Sequence, residues 1–353
     1  EIINIPNSVT FIGEYAFVDC SGLTSIIVET DNTKYDSRDN CNAIIETASN
    51  TIVLGSMNTN IPSSIVKIGD NAFKGCAGLN SITIPNSITS ISQSAFVGCD
   101  NLIVTFLCPN IDSWFMNNTS IKGVVFADGV LSIKSNAFSG CTGLTSVSIG
   151  NSVTSIGETA FGNCRALSSV IIPQNVTSLG NKAFSGCSGL ITVTILCPYI
   201  GSAFSGNTSL KDVVLGDGVI SIYGGAFSDC SGLTSISIPN SVTNIGNSVF
   251  KNCNNLSSVS LSEGLESIGS YAFSGCNNLS TITLPNSLSS IGFSAFRDCK
   301  GLTTLTIPNS IVTIEEYAFA GCSSLTSATI PNSVISIGNY AYSYCTSLFS
   351  LVI

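Results

Sequence analysis

Ile238–Ser260 reads IPNSVTNIGNSVFKNCNNLSSVS, and the rest of the chain repeats it. Close copies begin at Ile5, Ile61, Ile84, Phe126, Ile149, Ile172, Leu215, Leu261, Leu284, Ile307 and Ile330, and adjacent complete copies start 23 residues apart. A fixed period of this length marks a solenoid, in which each unit buries its apolar face only against its neighbours. Residues 1–353 therefore read as a single array of about 14–15 coils. A chain this long could otherwise make two or three domains, but one solenoid extends without limit.

Each copy divides into four sides. Ile-Pro-Asn-Ser reads as a β-turn, with Pro at the first central position and Asn at the second. Asp128-Gly129 and Asp217-Gly218 make the same corner in other copies. A stretch such as Val9-Thr10-Phe11-Ile12 follows and reads as a short strand. The next position holds Gly13 but also Ser92, Lys134, Tyr223 and Glu315, so it does not demand a positive φ. Ala16, Phe17, Cys20 and Leu23 then fall at i, i+1, i+4 and i+7, which predicts a short helical turn. Of twelve equivalents of Phe17, eleven are Phe and one is Tyr342. Gly or Asn precedes the Leu in most copies (Gly22, Gly78, Gly143, Asn101, Asn255), which suggests a left-handed helix end.

The last side is Leu79-x-x-Ile82-x-Ile84, a strand whose apolar residues point inward. Its alternate residues are hydroxylic: Ser81 and Thr83, Ser146 and Ser148, Thr192 and Thr194, Ser235 and Ser237, Ser258 and Ser260, Thr281 and Thr283, Thr304 and Thr306, Ser327 and Thr329. Stacked in parallel they form hydroxyl ladders spaced by about 4.8 Å. They are the candidate binding residues, offering donors and acceptors without charge. Ser and Thr are also ordinary solvent-face strand residues, and duplication alone can repeat them.

L-x-x-L-x-L followed by I-P-N-S-V-T-S-I-G-x-x-A-F-x-G-C resembles the BspA-like leucine-rich repeats, also called the Treponema pallidum type. The resemblance covers nearly the whole chain. It implies an α/β repeat solenoid: a right-handed coil with a parallel β-sheet on the concave face, short second strands, and short helical turns on the other sides. It further implies a bacterial secreted or cell-surface protein associated with adhesion to host proteins, host cells or other microbes. The family brings no catalytic motif.

Composition narrows the chemistry. Charged residues make up 9% of the chain, the mean hydropathy is +0.45, and apolar residues are spaced rather than run together. No stretch of roughly 18 apolar residues exists to span a membrane. A net charge of −9 argues against nucleic acid, which attracts basic surfaces. Histidine is absent, which removes the commonest general base and metal ligand. Carboxylates are scattered, with no pair set on one face by the repeat. No enzyme activity, cofactor or metal is therefore expected. The chain begins in the tail of a repeat at Glu1 and stops in mid-repeat at Ile353, which reads as a fragment or mature form cut in register.

Three units depart from the period. Residues 28–60 read as a repeat with a hairpin insertion, Ala43-Ile-Ile against Thr51-Ile-Val-Leu54. Glu29, Asp31, Asp36 and Asp39 cluster there, and such oxygen ligands suit calcium, but Lys34 and Arg38 interrupt them and the spacing lacks the EF-hand order, so the stretch reads as a solvated loop. Residues 107–125 and 196–214 are shortened twins. Asn118 and Asn207 replace the repeat cysteine in them, and Trp114, the only tryptophan, stands where the other twin has Ala203. An exposed Trp there would suit sugar stacking or a protein hot spot; a buried one would fill the shortened corner, which is the reading preferred here. Of 15 cysteines, twelve recur at the position of Cys20. They read as buried apolar thiols rather than disulfides, since the repeat position itself accounts for them, and the lack of any C-x-x-C pair argues against a zinc site.

These readings leave two functions. One is a monomeric surface module that binds a protein or glycan partner of a host or a neighbouring microbe. The other is a spacer, about 70 Å long at one coil per 4.8 Å, with no ligand of its own.

Overall fold

The computed structural model describes residues 2–13 and 15–352. Glu1, Glu14 and Ile353 lie outside them, so the readings of the two chain ends remain sequence readings. The chain forms two compact units, residues 1–167 and 168–353.

Both units are parallel β-solenoids, as the period requires. In the first, Ser81–Ile84, Ile103–Phe106, Gly123–Phe126 and Ser146–Ile149 form one four-stranded parallel sheet. A second row of two-residue strands, Asn110–Ile111, Ser132–Ile133 and Ser155–Ile156, pairs in parallel beyond the Pro-Asn-Ser corner. The second unit repeats this with Ser169–Ile172, Thr192–Ile195 and Asp212–Leu215 in one row, and Tyr199–Ile200, Ser221–Ile222, Asn244–Ile245, Ser267–Ile268 and Ser290–Ile291 in the other. Residues 28–60 fold Ala43–Glu46 against Thr51–Gly55 as an antiparallel hairpin. Thr51–Gly55 then passes into parallel pairing with Lys67–Ile68.

The core follows from the recurring Phe. In the first unit Phe73, Phe96, Phe115, Phe138 and Phe161 stack with centroids 4.9–5.7 Å apart. In the second, Phe184, Phe204, Phe227, Phe250, Phe273, Phe296, Phe319 and Tyr342 stack at 5.2–6.0 Å. Ring pairs at these separations contribute about 0.5–1.5 kcal/mol each beyond their area burial.

The corner expected to be helical is not. Among the described residues the only helical elements are single 3₁₀ turns at Arg38–Asn40, Ser113–Phe115 and Ser202–Phe204. Elsewhere the corner is a chain of β-turns, as in Ala272 N–H to Gly269 O, Ser274 N–H to Tyr271 O and Cys276 N–H to Phe273 O. The alternate N–H groups point to the next coil: Tyr271 to Phe293 O at 2.9 Å, Phe273 to Ala295 O at 2.8 Å, and Gly275 to Arg297 O at 2.8 Å. A helix would consume those donors internally, whereas the stacked turns spend them between coils. Both geometries aim Ala, Phe, Cys and Leu at one core, so the apolar spacing fits either.

Two further expectations are corrected. The Asn-Ser pair, not Pro-Asn, is central to the corner turn, since Val242 N–H bonds Pro239 O and Ile311 N–H bonds Pro308 O. The left-handed residues are not those before Leu, with Asn101 excepted. They lie at the residue before Cys, such as Gly75, Gly140 and Gly275, and four positions earlier, such as Asn71, Thr159 and Tyr271. Gly143 answers a different demand: a Cβ on it would sit 2.2 Å from Thr119 O of the preceding coil.

Candidate functional site

The long-strand sheet brings the predicted hydroxyl residues to one exposed face in each unit, but not as unbroken ladders. Ser81 and Ser146 share a row through Ile103 and Gly123; Thr83 and Ser148 share one through Thr105 and Val125. Ile103 is 44% exposed in the middle of that face. In the second unit Thr192 lies between Ser169 and Asp212, and Thr194 between Ile171 and Val214. Ser235 pairs with Ser258 and Ser237 with Ser260, so these four are adjacent. Thr304 and Thr306 pair with Ser327 and Thr329 in the same manner. Thr281 and Thr283 are exposed and alternate with buried Ile282 and Leu284, but residues 281–284 carry no regular strand pairing.

The hydroxyls of these coils fall into two groups. Some fasten coil to coil: Thr89 to Val66 O, Thr145 to Lys122 O, Ser257 to Thr234 O, and the corner Ser152 to Val130 O at 2.8 Å. Ser81, Thr83, Ser146, Ser148, Thr192, Thr194, Ser235, Ser237, Ser258, Ser260, Thr281 and Thr283 make no side-chain hydrogen bond among the described residues. Their donors and acceptors are open to a partner.

Trp114 is not on that face. It lies past the second strand row, in the 3₁₀ turn Ser113–Phe115, and is half-buried rather than a core filler. Phe115, 1% exposed, takes the core position instead. Trp114 lines a groove of about 250 Å³ with Asn86, Thr89, Asn110, Asp112 and Lys134. Asp112 accepts from Ser113 N at 2.7 Å and from Lys134 Nζ at 2.9 Å. The Lys134 hydrogen bond, then that of Ser113, holds the Asp112 carboxyl below its ordinary range, so it stays ionised in mild acid. Sequence reasoning missed Asn110, Asp112 and Lys134. Aligning the twins exposes them, since the other copy has Tyr199, Gly201 and Tyr223 at those places.

Another surface feature also went unread. Tyr271, Phe293, Tyr317 and Tyr340 make a column with centroids 5.0–5.9 Å apart, flanked by Lys251 over Tyr271 and Arg297 over Tyr317.

The thiols are free among the described residues, and all but Cys20 and Cys345 are buried. Burial raises Cys99, Cys141 and Cys230 to about 12 and Cys108 and Cys197 to about 11. A thiol held neutral at pH 7 is a poor nucleophile and metal ligand. In the 28–60 insertion, Asp36 is engaged by Arg38 and Glu29 accepts from Asn7 N at 2.9 Å. Among the described residues, no three His, Cys, Asp or Glu side chains are placed to hold a metal ion. No helix among them is long and apolar enough to cross a membrane.

Stacked parallel coils with a repeating L-x-x-L-x-L strand define a leucine-rich-repeat protein. The chain belongs to the BspA-type leucine-rich-repeat family, whose model matches residues 1–52, 54–113, 110–233, 199–299 and 266–353. Among solved structures it is similar to a leucine-rich repeat protein from Bacteroides ovatus, at 24% identity and a TM-score of 0.52, over 90% of this chain and 92% of that one. It is also similar to a leucine-rich cell surface protein from Faecalibacterium prausnitzii, at 26% identity and a TM-score of 0.38, over 99% and 78%. A third is the pneumococcal vaccine antigen PcpA, at 20% identity and a TM-score of 0.40, over 93% and 88%. No curated protein matches the chain.

Proposed function

We propose that this protein is a non-catalytic binding module of a bacterial surface, which engages a protein or glycan partner through the long-strand face. The observation that carries this reading is the division of labour among hydroxyls. Where a Ser or Thr is needed for structure it is bonded to the preceding coil, and the sheet-face hydroxyls are left unbonded. Repeat arrays present such faces as extended recognition surfaces. The family resemblance supports a secreted or surface location, and we take the binding form to be the monomer. A stable dimer in analytical ultracentrifugation would contradict that last point.

The test is a binding screen of the chain on host matrix proteins and glycans, beside a Ser235→Lys, Ser258→Lys, Thr281→Lys variant of native circular dichroism. The expected result is a partner whose affinity drops at least about tenfold in the variant, because three charges would be buried at the contact. Near-identity of the coils favours a second reading, a spacer that presents another domain. Failure of any partner to bind the intact fold would select it.

A further inference from the structure

We propose that the groove beside Trp114 is a subsite for one neutral pyranose unit of a glycan, separate from the sheet face and independent of that reading. The twin corner acts as an internal control. Its backbone is the same, with Trp114 N–H to Asp112 O at 2.8 Å matched by Ala203 N–H to Gly201 O at 2.7 Å. Its Ala203 is fully buried, as the alanine of this position is in the regular coils around both twins. The same turn therefore forms with Ala203, Gly201 and Tyr223 in place of Trp114, Asp112 and Lys134. Repeat positions that depart together from their copies, as these three do, are where functional or strained sites are expected.

The chemistry of the departures points to one ligand class. Trp114 supplies an aromatic surface, whose electron-rich face attracts the weakly positive C–H groups of a sugar ring. Asp112 is acceptor-only and Lys134 donor-only, and they lie 2.9 Å apart. A pair of neighbouring sugar hydroxyls can donate to the first and accept from the second without unbalancing the charge. The side-chain amides of Asn86 and Asn110 make no hydrogen bond within the described protein and add both functions at the rim. An anionic sugar would meet Asp112, and an apolar side chain would strand the ion pair without water. The groove, about 250 Å³, is at the small end for a ligand cleft and suits a single ring. It opens past Asp112 and Lys134 into a shallower trough along Ser132, Ser135 and Ser155, where a second residue of the chain would lie.

Trp114 is the only tryptophan, so its emission reports on this groove alone. The full chain is applied to a printed array of neutral glycans built from hexoses, N-acetylhexosamines and deoxyhexoses, and each hit is titrated by fluorescence. The expected result is saturable binding to a neutral glycan with a change in Trp114 emission. Trp114→Ala, a residue the twin already holds in this backbone, should weaken it at least about tenfold, and Asp112→Asn, which keeps the acceptor for Ser113 N, several-fold. The change in Trp114 emission should persist in the Ser235→Lys, Ser258→Lys, Thr281→Lys variant even where that variant loses a sheet-face partner, which separates this subsite from the sheet face. The proposal is overturned if no neutral glycan binds, if only sulfated or sialylated glycans bind, if binding survives Trp114→Ala, or if the Trp114-dependent partner proves to be a protein.

Discussion

The repeat cysteine is a hydrogen-bond donor as well as a filler. Phe250 O accepts the N–H of Cys253 in its own coil at 3.1 Å and the S–H of Cys276 in the next at 3.2 Å. The same contact recurs from Cys99 to Phe73 O and from Cys299 to Phe273 O. Asn207 preserves it by other means, donating Nδ2 to Phe184 O and Phe204 O, both at 2.9 Å. The thiols are thus protected, and reactivity should show it. In the native protein a thiol reagent at pH 8 should modify Cys20 quickly, Cys345 slowly, and the other thirteen only on unfolding. Fast labelling of several thiols would contradict the packing. The same burial sets an alkaline limit. Folded thiols at about 12 keep protons that unfolded thiols release near 9, so stability is full below about pH 9 and falls as pH rises toward 12. Each such thiol contributes about 1.4 kcal/mol per pH unit in that window. Thermal melts should therefore drop steeply between pH 9 and 10.5.

At the scale of elements, the corner is a compromise between tight turns and close stacking. Thr159 adopts φ 50°, a left-handed conformation that a β-branched residue resists, and its Oγ1 holds Asn136 Oδ1 of the preceding coil at 2.6 Å. Gly143 lets the backbone approach Thr119 O. Gly143→Ala should lower stability by about 2 kcal/mol, read as a drop in the thermal midpoint, because two coils must part to admit one methyl. The strands and the Phe stack were legible because identical residues recur at identical places. The corner was misread because its core-facing pattern is shared with a helix, and because its left-handed positions hold Tyr, Thr, Lys, Asn and Ser as often as Gly. The groove at Trp114 was half legible. The Trp stood out as single, but Asp112 and Lys134 lie 22 residues apart and meet only because coils stack.

At the scale of the whole molecule, charge is sparse and acidic. With 21 carboxylates against 12 cations and a pI near 4.4, little but negative charge keeps copies of this protein apart. Exposed apolar residues such as Ile171, at 59%, and Val214, at 52%, wait on the sheet face of the second unit. Lowering the pH from 7 toward 4.4 should therefore raise light scattering to a maximum near the pI, and salt should not prevent it. A flat scattering profile across that range would contradict this account.

The bonds between coils run along the stacking direction, one ladder at the sheet and another at the corner. A load applied along that direction opens coils one after another instead of shearing them all together. Each coil that opens surrenders about 4.8 Å of stacked height and releases 23 residues of chain, about 80 Å when drawn out. A unit built this way gains length from a few opened coils while the others stay folded, and each opened coil has its neighbour as a template on which to reclose. Pulled along its stack, each unit would therefore yield coil by coil rather than all at once.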